Sequence, residues 1–251
     1  MKIHRCAWLA AILLSACAPS GDTGYQGWVE AEQVFVSPHE PGRIETLSVR
    51  EGDAVKIGAP LFTLDDELEQ AELNQNQASL TNARQAFERA QLLLKTASGT
   101  QKTFEDAEAL LRAAEARLNS SRARLARRKV ASPAAGVVQQ IYFRPGEIVP
   151  TGRPVLALLP PDNVKLRFFV PETMVPKIAL GDTVAVGCDG CPAGLTARVT
   201  FMAQTAEFTP PVIYSLEERS KLVFLVEARP ENPAALRVGQ PVTISLLAEK
   251  R

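Results

Sequence analysis

The chain has 251 residues, of which 46% are hydrophobic, 22% charged and 6% aromatic, a composition typical of a globular protein with one large domain or a few small ones. It carries 28 basic and 28 acidic side chains, so its net charge of zero offers no electrostatic footprint for nucleic acid. Since His4 and His39 are its two histidines, a Ser-His-Asp triad or a histidine-ligated metal is unfavourable, and we expect no catalysis, cofactor or metal.

Residues 1–16 have the pattern of a bacterial export signal. Lys2 and Arg5 precede an apolar stretch that is too short to span a bilayer. The sequence Leu-Ser-Ala-Cys that ends at Cys17 resembles the lipobox of bacterial lipoproteins, and this resemblance implies cleavage before Cys17 and acylation of that residue. An ordinary secretory signal followed by a chance cysteine is the alternative. In both cases we expect export, with residues 17–24 as a flexible tether that the first interpretation makes lipidated.

A gapless internal repeat relates residues 42–64 to residues 136–158. Each copy predicts short strands with alternating apolar residues, joined by a Gly-Asp or Gly-Glu turn and closed by Gly-x-Pro. One copy is too small to bury its own apolar face, so we expect the two copies to pack together. The identical pairs are Gly42 and Gly136, Arg50 and Arg144, Gly52 and Gly146, Val55 and Val149, Gly58 and Gly152, Pro60 and Pro154, and Leu64 and Leu158.

The repeat resembles the two half-motifs of a lipoyl or biotinyl carrier domain. Carriers present a modified lysine on the tight hairpin between the halves, but here a long insert separates the first half, residues 41–64, from the second half, residues 131–160. A split lipoyl-like domain with a long insert is similar to the periplasmic adaptor proteins, or membrane fusion proteins, of the HlyD secretion family.

The insert, residues 65–130, has two runs of seven-residue apolar spacing that predict two antiparallel coiled-coil helices. Antiparallel pairing places the large apolar residues at equal distances from Gly99, which is therefore predicted to make the turn. Acidic residues open the first helix and basic residues close the second, so opposite charges should meet at the base. The repeated positions are Leu73, Leu80, Phe87 and Leu94 in the first helix and Phe104, Leu111, Leu118 and Leu125 in the second.

Arg89, Leu93 and Thr100 surround the predicted turn. Their spacing resembles the adaptor motif Arg-x3-Leu-x6-Ser, with Thr in place of the usual Ser, and the resemblance implies docking of the hairpin tip on a TolC-type outer-membrane channel. The alternative is a solvated coiled-coil arginine, a leucine that flanks a leucine run, and a loop threonine. Their position around the turn favours docking.

Residues 161–251 predict a small β-barrel, completed by an early strand within residues 25–40. Leu236-Arg237-Val238-Gly239-Gln240 resembles the closing segment of adaptor barrels, and the Glu-Phe-Thr-Pro-Pro run that starts at Glu207 resembles adaptors that serve ABC-type exporters. The predicted strands are residues 27–36, 165–170, 183–186, 195–202, 221–228 and 240–246.

Cys188 and Cys191 form a Cys-x-x-Cys pattern. A zinc site needs two further ligands, and a thioredoxin-like site needs a helix start, whereas Asp189-Gly190 between two strands predicts a hairpin turn. An oxidising periplasm favours a short structural disulfide over free thiols.

These patterns predict a mixed β plus α fold with a split lipoyl-like domain, an antiparallel coiled-coil α-hairpin insert and a small β-barrel. The resemblance implies a periplasmic adaptor anchored to a membrane, with the inner membrane favoured. It would form a homo-oligomer, commonly a hexamer, between an inner-membrane ABC exporter (permease with ATPase) and a TolC-type channel. Two alternatives stay open. An exported lipoyl-like carrier or enzyme-accessory protein would need a modifiable lysine on a hairpin tip, and a solute-binding lipoprotein would need two α/β lobes around a cleft.

Overall fold

The computed structural model of the chain describes residues 24–208 and 222–247. They form two compact units, of which one is residues 32–163 and the other contains the described residues before and after that range. The helices are α1 (Glu67–Lys95) and α2 (Gln101–Arg127). The strands are β1 (Tyr25–Ala31), β2 (Val34–Val36), β3 (Gly42–Leu47), β4 (Ala54–Val55), β5 (Pro60–Leu64), β6 (Lys129–Ala131), β7 (Gly136–Ile141), β8 (Ile148–Val149), β9 (Leu156–Leu159), β10 (Val164–Pro171), β11 (Thr183–Gly187), β12 (Leu195–Met202), β13 (Glu207–Phe208), β14 (Leu222–Pro230) and β15 (Pro241–Leu246).

The unit of residues 32–163 contains two four-stranded sheets, in the orders β2-β9-β7-β4 and β6-β5-β3-β8. The two halves of the sequence repeat exchange strands, because β3 of the first half pairs with β8 of the second and β7 of the second pairs with β4 of the first. Gly42 lies opposite Val149, and the equivalent Gly136 lies opposite Val55. Neither half can complete a sheet alone, so the halves fold together as predicted.

The core of this unit lies between the two sheets and takes apolar side chains from both halves. Phe62 and Leu64 on β5 and Leu156 and Leu158 on β9 are essentially inaccessible to solvent. Phe62 and Leu64 are two residues apart on one strand, as are Leu156 and Leu158, so the side chains of each pair point to the same face of their strand. The buried cluster consists of Val36, Ile44, Val49, Val55, Leu61, Phe62, Leu64, Val138, Val149, Val155, Leu156 and Leu158.

Two glycine turns join each half of the repeat to the other. The Gly52 amide donates to the Val138 carbonyl at 2.8 Å, and the equivalent Gly146 amide donates to the Ile44 carbonyl at 2.8 Å. The φ angles of Gly52 and Gly146, 91° and 93°, lie in the left-handed region where glycine is favoured. The Gly-Asp and Gly-Glu pairs of the sequence therefore mark real turns.

The helices α1 and α2 lie between the halves of the repeat, where a carrier domain has its short hairpin. Leu80 and Leu118 are buried together with Ala114, which confirms the predicted antiparallel pairing of these two leucines. A two-helix seam leaves solvent on both sides, so the small residues Ala90 and Ala107 are buried while several larger heptad residues stay half-buried.

In the described part of the other unit, β10, β1, β15, β11, β12 and β14 follow one another, and β14 closes a six-stranded antiparallel barrel by pairing with β10. The short strand β13 also pairs with β14. Leu166, Phe168 and Val170 alternate into the barrel interior and are fully buried. The five strands predicted between residues 165 and 246 are confirmed, with ends that agree within two residues. The mixed β plus α fold with a barrel and a helical hairpin is also confirmed.

The prediction for the early strand is wrong in part. Residues 27–36 were expected to form one strand of the barrel, but the strand breaks at the polar residues Glu32 and Gln33. β1 pairs with β10 and β15 in the barrel, whereas β2 pairs with β9 in the unit of residues 32–163. Val36 is buried in the core between the two sheets of that unit, and its burial stabilises the pairing of β2 with β9.

Three predictions fall wholly or partly outside the described residues. They concern the signal peptide of residues 1–16, the lipidation of Cys17, and the part of the Glu-Phe-Thr-Pro-Pro run that follows Phe208. Within residues 24–208 and 222–247, neither α1 nor α2 is long and apolar enough to cross a membrane.

Candidate functional site at the tip of the helical hairpin

The turn between the helices is built around the end of α1. The Ala97 amide donates to the Leu94 carbonyl at 3.1 Å, and the Ser98 amide donates to the Leu93 carbonyl at 2.9 Å. These two hydrogen bonds, one from a residue in the left-handed conformation and one from the residue after it, form the Schellman motif that ends many helices. The left-handed residue is Ala97, with φ of 53°, so Gly99 lies in the connection between the helices as predicted but does not supply its left-handed conformation.

Glycine at position 99 instead allows a close approach of the loop to α1. A Cβ atom at this position would lie 3.0 Å from the Leu93 Cβ and 3.2 Å from the Leu93 carbonyl carbon. The Gly99 amide also donates to the Leu93 carbonyl, at 3.0 Å. The loop thus packs directly on the backbone of Leu93 and determines how this residue is presented.

Thr100 is the N-cap of α2. Its Oγ1 accepts a hydrogen bond from the Thr103 amide at 3.2 Å and lies 2.7 Å from the Thr103 Oγ1. Its extended backbone, with φ of −100° and ψ of 154°, is typical of this position. Sequence reasoning treated Thr100 as a docking or loop residue, although a threonine directly before a helix is itself a capping signal.

The three residues predicted to dock are all exposed, and the structure places them at the tip. Arg89 and Leu93 lie one turn apart on the same face of α1, and Thr100 starts α2 across the loop. The Leu93 side chain is 46% exposed and its neighbour Leu92 is 62% exposed. Arg89 forms no ion pair with any described residue. An unpaired guanidinium beside exposed leucines can bind a partner through one charge and one apolar contact.

A buried ionic cluster fixes the base of the hairpin to the sheets. Arg128, directly after α2, forms an ion pair with Glu69 of α1, and only 11% and 13% of the two side chains are exposed. The Arg128 Nη1 also donates to the Pro41 carbonyl at 2.9 Å, and its Nη2 lies 3.8 Å from the Glu40 carboxylate. Gly42 makes room, because a Cβ there would lie 2.7 Å from the Arg128 Nη1. The predicted meeting of opposite charges at the base is therefore confirmed.

A second ion pair lies where the chain enters α1. The Arg43 Nη2 donates to the Asp65 Oδ2 at 2.6 Å, and this hydrogen bond holds the pKa of Asp65 below its ordinary value. The other Asp65 oxygen accepts from the Glu67 amide at 3.3 Å. Asp65 therefore joins β3 to the first turn of α1.

Cys188 and Cys191 lie in the loop between β11 and β12, and the antiparallel pairing of these strands confirms the predicted hairpin. Their Cα atoms are 5.4 Å apart and their sulfur atoms are bonded. The Cys191 amide donates to the Cys188 carbonyl at 3.2 Å across a turn that contains Gly190 at φ of 76°. Formation of this bond in the periplasm stays a prediction.

The described ranges contain no group of three or more histidine, cysteine, aspartate or glutamate residues that could hold a metal ion. His39 is exposed beside the buried Pro38. The hairpin tip is the candidate site that the geometry supports best, because Arg89 and Leu93 are exposed there.

Parts of the chain match a protein-family model and curated relatives. Residues 32–145 match the family model described as YknX, barrel-sandwich hybrid domain. The chain is 34% identical over 129 residues to a UPF0194 membrane protein of Acidithiobacillus ferridurans, covering 49% of this chain and 38% of the relative. It is 27% identical over 180 residues to an uncharacterized protein of Haemophilus influenzae, covering 71% of this chain and 45% of the relative. The matches thus span less than half the length of either relative.

Solved structures share the fold at low sequence identity. A MacA–MexA chimeric protein that contains the Pseudomonas aeruginosa MexA α-hairpin domain superposes with a TM-score of 0.71 and 19% identity, covering 89% of this chain and 79% of that chain. A membrane fusion protein from Streptococcus pneumoniae superposes with a TM-score of 0.70 and 15% identity, covering 90% of this chain and 99% of that chain. The resemblance to the periplasmic adaptor, or membrane fusion, proteins is confirmed.

Proposed function

We propose that this chain, which has the fold of the membrane fusion proteins and contains a YknX-type barrel-sandwich hybrid domain, is the periplasmic adaptor subunit of an export or efflux system. It would link an inner-membrane exporter to an outer-membrane channel. The observation that carries the proposal is the exposed pair of Arg89 and Leu93 at the end of a two-helix rod whose base is fixed to the sheets. At about 1.5 Å per residue the rod is about 45 Å long, so it reaches well away from the sheets.

The finer part of the proposal concerns the partners. A TolC-type channel is supported by the spacing of Arg89, Leu93 and Thr100 and by the exposure of all three. An exporter of ABC type, with a permease and an ATPase, is supported by the resemblance of the run that begins at Glu207. The chain would act by binding alone, with no catalysis, cofactor or nucleic acid, and would assemble as a homo-oligomer, with six copies proposed. The barrel-sandwich hybrid domain is proposed to be a split lipoyl-like domain.

Attachment to a membrane is proposed to occur through lipid on Cys17 in the periplasm, with the inner membrane favoured. Replacement of Cys17 by Ser followed by cell fractionation tests this part of the proposal. We expect the variant to leave the membrane fraction and to lose the mass of the acyl chains. Unchanged membrane association and processing would contradict lipidation.

Deletion and complementation test the adaptor role. We expect a deletion strain to lose export, measured by comparing compounds and proteins inside and outside the cells, and a copy of the gene to restore it. Arg89→Asp and Leu93→Ser should fail to restore export and should abolish in vivo crosslinking to the channel. Arg117→Asp is the matched control, because Arg117 is also exposed, forms no ion pair with a described residue and lies about 25 Å from the tip. Normal export in the deletion strain would contradict the proposed function.

A further inference from the structure

We infer that the end of the β-barrel where β1 begins rests on the lipid surface that holds Cys17, with Leu180, Phe201 and Leu247 in contact with the acyl chains. The inference rests on the part of the proposed function that attaches the chain through lipid on Cys17. It adds to that attachment a direct contact between the folded barrel and the bilayer.

Three large apolar side chains are exposed at one end of the barrel, on neighbouring strands. Because adjacent strands are antiparallel, the end where β1 begins is also where β15 and β12 end and where β11 begins. Leu247 directly follows β15, Leu180 lies in the turn before β11, and Phe201 is the last residue but one of β12. The exposed fractions of these three side chains are 51%, 66% and 47%.

The strand register brings these residues close together. Val184 pairs with Leu246, so Leu247 lies beside the first residues of β11. The Gly181 amide donates to the Val199 carbonyl at 2.9 Å, which fixes the turn before β11 against the end of β12. The exposed side chains therefore form one apolar patch, and such patches on a protein surface mark binding sites for proteins or membranes.

The turn that carries Leu180 is held by hydrogen bonds. The Asp182 Oδ2 accepts from the Ala179 amide at 2.7 Å, and the Asp182 amide donates to the Ala179 carbonyl at 3.2 Å. Gly181 has a φ of 93°, which a glycine adopts without strain. These hydrogen bonds do not use the Leu180 side chain, so the turn itself does not require a leucine at this position.

The barrel contains an equivalent turn at its other end, before β15. The Gly239 amide donates to the Val29 carbonyl at 2.8 Å, and Gly239 has a φ of 84°. Val238 occupies the place of Leu180 and is 53% exposed. Since the six residues of β15 span about 20 Å, a flat bilayer that touches Leu180 does not reach Val238. The two turns therefore form a matched pair for a test.

The position of the proposed anchor indicates what covers the patch. β1 begins at Tyr25 and pairs with β15, the strand that Leu247 follows. Eight residue steps join Cys17 to Tyr25, and at no more than about 3.6 Å per step β1 begins within about 30 Å of the acylated residue. This covalent connection gives the bilayer a high effective concentration at the patch. It favours lipid over a protein that must first be recruited.

The charges at this end of the barrel favour apolar contact over electrostatic binding. Among the described residues, three exposed acids and two exposed bases lie there, so no cationic surface faces the anionic headgroups. Leucine and phenylalanine side chains gain free energy by leaving water whatever the headgroup charge. We therefore expect contact with zwitterionic and anionic bilayers alike. The charged residues are Glu172, Asp182, Glu207, Lys177 and Arg198.

Tryptophan fluorescence of the lipidated mature chain in phospholipid vesicles tests the contact. Leu180→Trp and Leu247→Trp place reporters in the patch, and Val238→Trp is the matched control in the equivalent turn. Each variant also carries Trp28→Phe, which removes the tryptophan of β1. We expect lipid with brominated acyl chains to quench the reporters at positions 180 and 247 and not the reporter at position 238. Equal quenching at positions 180 and 238, or none at positions 180 and 247, would overturn the inference.

Leu180→Gln measures the contribution of one side chain. Combined with Leu247→Trp, it should lower the ratio of membrane-bound to free barrel ends about tenfold and so reduce quenching. Val238→Gln in the same background should leave quenching unchanged. Equal effects of the two glutamine variants would contradict a contact made by the patch.

Photo-crosslinking in cells separates lipid from protein partners. With a photo-reactive residue in place of Leu180, we expect adducts with phospholipid. Crosslinks to the inner-membrane exporter or to a second copy of the chain, in place of lipid, would overturn the assignment of the bilayer as the partner.

Failure of the inference is distinguishable from failure of the proposed attachment. Mass spectrometry of the purified chain detects the acyl chains on Cys17. A chain without them shows that the proposed attachment is wrong, and the barrel contact falls with it. An acylated chain whose reporters at positions 180 and 247 stay unquenched retains the attachment and loses only the barrel contact.

Discussion

Replacing Glu69 with glutamine should destabilise the unit of residues 32–163 far more than the same change at Glu72, one turn along α1. Glu69 pairs with Arg128, and both side chains are almost fully buried. The substitution leaves the Arg128 charge buried without its main partner, although the Pro41 carbonyl still accepts a hydrogen bond from it and the Glu40 carboxylate still lies 3.8 Å from its Nη2. The Arg128 Nε has no hydrogen-bond partner among the described residues even with Glu69 present.

The expected cost follows from this burial. Removal of one partner of a buried ion pair costs about 3–5 kcal/mol, and the remaining Pro41 bond places Glu69→Gln near the lower end, at about 3 kcal/mol. With a urea dependence of about 2 kcal/mol per molar, the unfolding midpoint should fall by about 1.5 M. Urea unfolding of the mature chain, followed by circular dichroism of the helical hairpin, measures this shift.

Glu72→Gln is the matched control on the same helix. Glu72 pairs with Arg124 at 3.0 Å, but 39% and 47% of their side chains are exposed. Exposed pairs contribute only about 0–1 kcal/mol, so the midpoint should hardly move. Replacing both partners of the buried pair, with Glu69→Leu and Arg128→Met, should cost less than Glu69→Gln alone. Equal shifts in the two single variants would refute the reasoning that burial makes the Glu69 pair different.

Three further predictions concern the turn, the helix entry and the barrel loop. Ala97→Gly should stabilise the hairpin by about 1 kcal/mol, because glycine adopts the left-handed conformation without strain. Urea unfolding measures this gain, and a loss of stability would contradict the Schellman geometry. Since the pKa of Asp65 is lowered by Arg43 in the folded state, its stabilising effect is complete above the unfolded pKa of about 4 and is lost as the pH falls through the folded pKa. The stability difference between wild type and Asp65→Asn should therefore disappear in acid, and a difference that persists there would exclude this pair as its source. Cys188 and Cys191 should resist alkylation before reduction in protein isolated from the periplasm, and mass spectrometry that finds both labelled would refute the disulfide. Loss of this disulfide should lower the free energy of unfolding by about 1–2 kcal/mol.

The helical hairpin and the glycine turns could be predicted because their signals are local. The seven-residue spacing of Leu80 and its equivalents determines which face of each helix is apolar, and the short connection between the two runs requires the helices to meet antiparallel. The Gly-Asp and Gly-Glu pairs at Gly52 and Gly146 likewise determine turns that few other residues allow. Arg89 and Leu93 could be placed at the tip for the same reason, because they lie close to a turn that the spacing locates.

Other features depended on which surfaces meet in three dimensions. The sequence shows that Val36 belongs to an apolar face, but only the tertiary structure decides that this face packs in the sheet unit and not in the barrel. The same holds for the exchange of strands between the two halves, since pairing of β3 with β8 joins segments far apart in the chain. The left-handed conformation of Ala97 arises because hydrogen bonds to Leu93 and Leu94 outweigh the steric cost of an alanine there, and close packing against Leu93 favours a small residue at Gly99. By itself the sequence determined the local periods, the turns and the spacing of the tip residues, because each is encoded by neighbours within a few turns of chain. The partners of β2 and the burial of Arg128 were decided by the tertiary structure, because they depend on which of several compatible surfaces come together.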